Sequence, residues 1–230
     1  MERNLTIDNL RGIAFLLMLF QHVFYFYDVS TNYVTNYRSI EIVDNAGTIS
    51  RTLFILLAGY SVYMTYKKDK KDKDKKDTKW LEKRAKRSIQ IMEHALLITI
   101  VTYLLYPDKF IQFGILHFLS IGILLVSFVA PDKIMTGIAL LITSFATYPI
   151  TGTFADVITG SRAPGMMMDW FPLNTWLPVL LTGVAIGQNI DLKLPGFEFD
   201  NMITDIGKNS LNLYTGHIVL LMVVFKFINN

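Results

Sequence analysis

Two ionisable side chains inside the first apolar segment are the residues best placed to do chemistry. Arg11 and His22 lie eleven residues apart in the sequence LRGIAFLLMLFQHVFYFYD. Eleven residues make close to three turns of an α-helix, so both side chains fall on one face, about 16 Å apart along the axis. An ionisable group inside a membrane is costly and usually serves a reaction or a pathway. The spacing therefore predicts that these two residues take part in a reaction or a pathway that extends along the helix across a membrane.

The helix face that carries this pair is polar at both ends and apolar in the middle. Asp8 and Arg11 are three residues apart, so they can pair in the first turn. A simpler interpretation has equal weight for the two residues alone, namely an arginine that snorkels to the surface and a histidine with one buried partner. Other residues continue the face at helical spacing: Phe15, Met18 and Tyr25.

Further polar candidates lie in or beside later apolar segments. His117 follows Gly114 at the start of one segment, and Asp169 precedes another in the sequence D-W-F-P-L. In the last segment Tyr214 and His217 share a helix face with Ser210, and Gly207 favours a turn before it. Each has a structural alternative, which is helix packing, a hydrogen-bond network between helices, or an aromatic anchor at the membrane surface.

Long apolar windows indicate the elements that must position these residues. The chain is 52% hydrophobic with a mean hydropathy of +0.37. We predict an all-α, polytopic membrane helix bundle with about seven transmembrane helices, forming one domain over residues 1–230. The predicted spans are 10–27, 49–66, 88–106, 114–130, 134–149, 171–188 and 210–228.

One strongly basic segment sets the predicted orientation. Residues 67–87 contain twelve of the 22 Lys and Arg residues and five acidic residues. We predict a charged cytoplasmic loop there, with a flexible part at 67–79, because basic residues beside a span favour the cytoplasmic side. The chain is then a multi-pass protein of the cell membrane, with its N-terminus cytoplasmic and its C-terminus external.

The sequence lacks the patterns that are typical of several kinds of catalytic or binding site. The chain has no cysteine, which excludes disulfides and thiol catalysis. It has no H-x-x-x-H or similar spacing, so we expect no metal. There is no G-x-S-x-G elbow, Walker loop or dinucleotide fingerprint. The basic run lies between two predicted spans and lacks interleaved aromatic residues, so we expect no nucleic acid as a partner.

Six sequence blocks in order carry a resemblance that covers nearly the whole chain. Together they resemble the heparan-α-glucosaminide N-acetyltransferase catalytic-domain family, and the Arg-x10-His spacing is similar to the signature of acyltransferase family 3. The second span reads A-G-Y-S where S-G-F-S is more usual in the family. The blocks are I-D-x-L-R-G-I-A at 7–14, His22, F-x-x-x-A-G-Y-S at 54–61, F-G-I-L-H at 113–117, D-W-F-P-L at 169–173 and K-N-S-L-x-L-Y-x-x-H at 208–217.

The resemblance implies an integral-membrane acyltransferase. It would move an acetyl or other acyl group from cytoplasmic acyl-CoA, its co-substrate, to an amino or hydroxyl group of a sugar or glycan acceptor at the outer side. His22 would be the catalytic residue, while Arg11, held by Asp8, would bind the acyl donor. Other possible partners are membrane lipids and a second copy of the chain. Four residues would line the acceptor end: His117, Asp169, Tyr214 and His217.

The residues alone agree with this chemistry and leave alternatives open. Histidine can act as the base that deprotonates the acceptor, or it can attack the thioester and form an acyl-imidazole. The guanidinium fork of Arg11 suits a phosphate. The alternative function is a transporter or flippase that moves its substrate along the polar residues within the membrane, although we see no inverted repeat. A structural membrane protein with buried polar contacts is the third reading.

Overall fold

Capping residues begin several of the helices. In the computed structural model, the Asn4 side chain accepts a hydrogen bond from the Ile7 amide at the start of the first helix. The Asp132 carboxylate accepts from the amides of Ile134 and Met135 at the start of another. Such oxygens satisfy N–H groups that the first turn of a helix leaves unpaired. The sequence therefore fixes these helix starts locally.

Helices account for most of the chain. The structure describes residues 4–31, 36–71, 77–147, 150–161, 167–197 and 200–228. Apart from one parallel bridge between Phe113 and Trp170, these residues form no strand, which confirms the predicted all-α class. The helices are α1 (Leu5–Ser30), a 3-10 turn (Tyr37–Ser39), α2 (Glu41–Lys71), α3 (Asp77–Leu105), α4 (Ile115–Val129), α5 (Lys133–Phe145), α6 (Phe154–Thr159), α7 (Leu173–Asn189), α8 (Met202–Lys208) and α9 (Ser210–Ile228).

Every predicted span overlaps a helix, namely α1 to α5, α7 and α9. Residues 148–149 of the fifth span lie outside the described residues. Among the described residues, three helices are long and apolar enough to cross a membrane: Leu5–Ser30, Lys79–Leu105 and Ser210–Phe227. Helices α4 and α5 are apolar but shorter. The count of seven spans stays a prediction.

Large apolar side chains cover the outside of several helices. Leu104 on α3 is 72% exposed, Phe145 on α5 is 82% exposed and Phe227 on α9 is 71% exposed. In water this surface would be unfavourable by about 25 cal/mol for each Å² of apolar area. Lipid tails remove that cost, so this exposed surface fits a membrane protein.

The chain divides into two compact units, which we call the terminal unit (Glu2–Phe54 with Leu192–Asn230) and the central unit (Ile55–Asp191). In the terminal unit, α1 packs against α8 and α9. In the central unit, α4 packs against α3, α5 and α7, and α5 packs against α7. The interpretation of residues 1–230 as one domain stays a prediction.

Two glycines let α8 lie directly against α1 in the terminal unit. A Cβ on Gly12 would lie 2.1 Å from the carbonyl oxygen of Ile203, and one on Gly207 would lie 1.8 Å from that of Asp8. Neither contact leaves room for a side chain. The turn predicted at Gly207 is therefore wrong, because this residue lies inside a short helix whose N-terminus is capped by Asn201.

The charged segment 67–87 contains more helix than we predicted. Residues 67–71 continue α2 and residues 77–87 belong to α3, whereas 72–76 lie outside the described residues. Lysine is a good helix former, and extending an existing helix avoids the cost of nucleation. Ion pairs add to this, since Lys83 binds Asp69 at 2.9 Å and Lys86 binds Glu82 one turn away. The prediction of a flexible loop over 67–79 is wrong where the structure describes it.

Candidate functional site

Two histidines from α1 and α9 meet in the terminal unit. His22 Nδ1 lies 2.8 Å from His217 Nε2, which is hydrogen-bond distance. The ring planes differ by 17° and the ring centroids are 5.1 Å apart. With so short an N–N distance, both nitrogens lie between the centroids, so the rings meet edge to edge. The sequence assigned both residues to one site, and the structure adds that they contact each other directly.

The backbone determines where the protons of this pair reside. His217 Nδ1 lies 2.9 Å from the carbonyl oxygen of Leu213, which can only accept, so Nδ1 carries the proton. In the neutral ring Nε2 of His217 then has a lone pair and accepts the hydrogen bond from Nδ1–H of His22. Neutral His22 therefore keeps its lone pair on Nε2. The chain of hydrogen bonds fixes the tautomers of both rings.

Aromatic rings surround the histidine pair and restrict its rotation. Phe15 packs edge-on against His217 with centroids 5.2 Å apart, and Phe26 lies 6.2 Å from His22. The Tyr214 ring contacts both histidines at 6.4 Å and 5.5 Å and is only 7% exposed. Edge-to-face contacts of this kind are favourable. The pair is thus held in an apolar aromatic environment in which charge interactions are stronger than in water.

The predicted carboxylate–arginine pair is present in the first turns of α1. Arg11 Nη1 lies 3.1 Å from Asp8 Oδ1, and the Asp8 side chain is 2% exposed while that of Arg11 is 25% exposed. The Asp8 backbone is also the surface on which Gly207 of α8 packs. Nearby, Lys208 binds Asp200 and Asp205, whose carboxylates raise the pKa of its ammonium group. A buried carboxylate therefore positions a partly exposed guanidinium, which is the geometry needed to bind an anion.

His117 in the central unit has both ring nitrogens engaged. Its Nδ1 accepts from the Gly114 amide at 3.2 Å, at the start of α4. Its Nε2 lies 3.2 Å from the Thr99 hydroxyl, which itself donates to the carbonyl of Ile111 at 2.8 Å. Nε2 is therefore the protonated nitrogen and the neutral ring has no lone pair left. These contacts favour a role in holding the N-terminus of α4 on α3.

Asp169 belongs to the same helix start. Its Oδ2 accepts from the Ile115 amide at 3.1 Å, and the next residue, Trp170, forms the bridge to Phe113. Trp170 also donates its indole N–H to the Val157 carbonyl at 2.8 Å. A carboxylate at a helix N-terminus satisfies a free amide and is favoured by the helix dipole. The D-W-F-P-L block thus caps α4.

The structure sorts the predicted site residues into two sets. His22, Tyr214 and His217 come together in the terminal unit. Asp8 and Arg11 form their pair earlier on α1, the helix that carries His22. His117 and Asp169 meet at the start of α4 in the central unit. Sequence reasoning missed the partners that fix the histidines, which are the Leu213 carbonyl and the Thr99 hydroxyl. Only the Leu213 carbonyl could have been predicted from the sequence, since a carbonyl four residues earlier is always near on a helix.

Over the described ranges, no three His, Asp or Glu side chains are grouped so as to hold a metal ion.

Comparison with known proteins gives one match. The family model described as "Heparan-alpha-glucosaminide N-acetyltransferase, catalytic" matches residues 3–219, which is nearly the whole chain. No curated protein and no solved structure matches the chain. The match includes every residue of the histidine pair, the Asp8–Arg11 pair and the α4 cap.

Proposed function

Because the chain belongs to the heparan-α-glucosaminide N-acetyltransferase catalytic family, a family of membrane acetyltransferases, we propose that it transfers acetyl groups across a membrane. The donor is cytoplasmic acetyl-CoA. The acceptor is an amino or hydroxyl group of a sugar-like compound at the outer side. The exposed apolar helices support the membrane setting, and the family supports the acetyl transfer.

The observation that carries the catalytic assignment is the hydrogen bond between His22 Nδ1 and His217 Nε2, from which we infer a lone pair on His22 Nε2. The hydrogen bonds from His22 to His217 and from His217 to the Leu213 carbonyl place a proton on Nδ1 of each ring, so Nε2 of His22 can accept a proton or attack a carbonyl carbon. A base in a low-dielectric site contributes typically 10²- to 10⁴-fold to a reaction of this type. His217 is a positioning residue in this proposal, because it acts through His22.

In direct transfer, His22 Nε2 takes the proton of the acceptor as the acceptor attacks the thioester carbonyl carbon. The tetrahedral intermediate collapses and the carbon–sulfur bond breaks. The proton passes from His22 to the sulfur, so CoA leaves as the thiol. The positive charge that develops on the His22 ring is stabilised through Nδ1–H by His217 Nε2.

In the two-step route the same Nε2 attacks the thioester carbonyl carbon. CoA leaves as the thiolate, and an acetyl-imidazolium that is still protonated on Nδ1 forms on His22. The acceptor then attacks the acetyl carbon, the bond to Nε2 breaks and regenerates the neutral ring, and the proton lost by the acceptor balances the one that the thiolate takes up. The lone pair serves both routes. They differ in one measurable respect, which is whether acetyl label appears on the protein before the acceptor is added.

Arg11 provides the donor end of the site. The guanidinium fork binds a CoA phosphate or the thioester region, and Asp8 holds it in place at 3.1 Å. The positive-inside rule supports a cytoplasmic position for this end, because the basic segment 67–87 favours the cytoplasmic side. Tyr214, beside both histidines, lines the acceptor end.

The test uses protein purified in detergent and acetyl-CoA labelled on the acetyl group. Wild type, His22→Ala and Val23→Ala are compared for CoA release and for label on added amino sugars. Val23 is the matched control, since it is the next residue of α1 and is 40% exposed. We expect His22→Ala to lose about 10²- to 10⁴-fold in turnover and Val23→Ala to resemble wild type. Undiminished turnover in His22→Ala would reject this role, and a folded wild type that does not bind CoA would favour a transporter.

A further inference from the structure

Two buried donors near the N-terminus of α3 have no acceptor in the part of the chain that the structure describes. Trp80 is 4% exposed, and its indole Nε1 has no hydrogen-bond partner among the described residues. The Nε of Arg84 is also buried and also lacks a partner there. Buried donors are nearly always paired in folded proteins, since an unpaired one loses its bonds to water without compensation. Two such donors together therefore need an explanation.

The two donors lie on one side of the helix and in a basic environment. Residues four apart on a helix are neighbours on its surface, so Trp80 and Arg84 can reach the same group. The Trp80 ring is held edge-on by Tyr66 at 5.2 Å. The nearby carboxylate of Asp69 binds Lys83 Nζ at 2.9 Å through both oxygens, and neither Trp80 Nε1 nor Arg84 Nε makes a hydrogen bond to it. Over 67–87 the net charge is +7, from twelve basic and five acidic residues.

We propose that Trp80 and Arg84 form a binding site for a phosphate group that the chain itself does not supply. A phosphate has only acceptor oxygens and a negative charge, so it satisfies the indole N–H and the guanidinium N–H together. The source is an anionic lipid headgroup or the phosphates of a nucleotide coenzyme.

The position of the site along α3 favours the lipid source. The apolar stretch that could cross a membrane is Lys79–Leu105, so Trp80 and Arg84 lie in its first two turns. Tryptophan and arginine are common at this depth, where the indole and the charged head reach the phosphate layer. The coenzyme source would instead link this site to the proposed acetyl transfer. The phosphate site itself does not depend on that transfer.

Binding is measured on the full chain in a maltoside detergent, which contains no phosphate. Phosphatidic acid is titrated in one arm and coenzyme A in the other, and bound ligand is counted by native mass spectrometry. Arg84→Gln is compared with Lys86→Gln, which removes the same charge from the same helix at a side chain that is 71% exposed. We expect Arg84→Gln to weaken binding by about 10- to 100-fold, as for a hydrogen bond to a charged group, and Lys86→Gln by about twofold or less.

A second variant removes only the neutral donor. Trp80→Phe keeps a ring against Tyr66 and loses the indole N–H, so we expect about 2- to 10-fold weaker binding. This variant carries the test if Arg84→Gln does not fold. If Trp80→Phe and Arg84→Gln lose binding of phosphatidic acid, the lipid is the source of the phosphate. If they lose binding of coenzyme A, the coenzyme is the source. Equal binding of both ligands by Trp80→Phe and wild type, or by Arg84→Gln and Lys86→Gln, would overturn the proposal.

Discussion

His22 in the terminal unit is half-buried and His117 in the central unit is buried, and both are polar residues on apolar helices whose hydrogen-bond partners differ. His117 accepts from a backbone amide and donates to a hydroxyl, so both its nitrogens are used. His22 donates to His217, which in turn donates to a carbonyl. In the first case the hydrogen bonds close on the protein, and in the second they end on a nitrogen with a lone pair.

This difference is the basis for the structural role that we assign to His117 and the catalytic role that we propose for His22. A ring with an acceptor and a donor on either side gains stability and has nothing left to react. A ring whose partner fixes only one nitrogen is oriented and still reactive, which is what a base or nucleophile requires. Counting the donors and acceptors around each ring therefore identifies the nitrogen that has no partner, which is Nε2 of His22.

The largest expected effect that tests the comparison is on turnover. His217→Leu removes the acceptor for His22 Nδ1–H, so the ring loses its orientation and its fixed tautomer. We expect acetyl transfer to fall by about 10- to 100-fold, the value of one hydrogen bond to a group that becomes charged. His217→Gln keeps a side-chain oxygen in reach of Nδ1–H and should recover part of the loss. The measurement is CoA release under saturating acetyl-CoA.

His117→Leu is the matched substitution in the other unit. It leaves the Gly114 amide without its acceptor, so we expect a loss of stability of about 1–3 kcal/mol, seen as a lower Tm. Turnover per folded molecule should stay near that of wild type. A fall in turnover as large as that of His217→Leu, at unchanged Tm, would contradict the structural assignment of His117.

The sequence was sufficient to predict the seven helices that overlap the predicted spans and the polar face of α1, but not the contacts between helices. Asp8 and Arg11 pair as their three-residue spacing indicated, because both belong to one helix. Asp169 caps an amide 54 positions away in the sequence, and such a contact leaves no local pattern. The short helix α8 was missed because its seven residues are too few for a hydrophobic period, and Gly207 was taken for a turn residue.

The next effect is smaller and concerns the α4 cap. Asp169→Ala removes the acceptor for the Ile115 amide, and we expect a loss of about 1 kcal/mol, typical of a cap. Asp169→Asn keeps an oxygen and loses the charge, so it should cost only the dipole interaction, about 0.3–1 kcal/mol. Denaturation of the detergent-solubilised variants measures both values. A substrate-binding role would show a different pattern, with a raised KM for the acceptor in Asp169→Asn and an unchanged Tm.

The last prediction concerns the tautomers of the three histidines rather than turnover or stability. The hydrogen bonds assign Nδ1–H tautomers to His22 and His217 and an Nε2–H tautomer to His117. The two ring nitrogens of a neutral histidine give distinct ¹⁵N chemical shifts according to which one is protonated. Histidine-labelled protein at a pH where the rings are neutral should therefore contain Nδ1–H signals from His22 and His217 and an Nε2–H signal from His117, which is identified by its loss in His117→Leu. An Nε2–H tautomer for His22 would place its lone pair on Nδ1, towards His217, and would leave the proposed base without its free nitrogen.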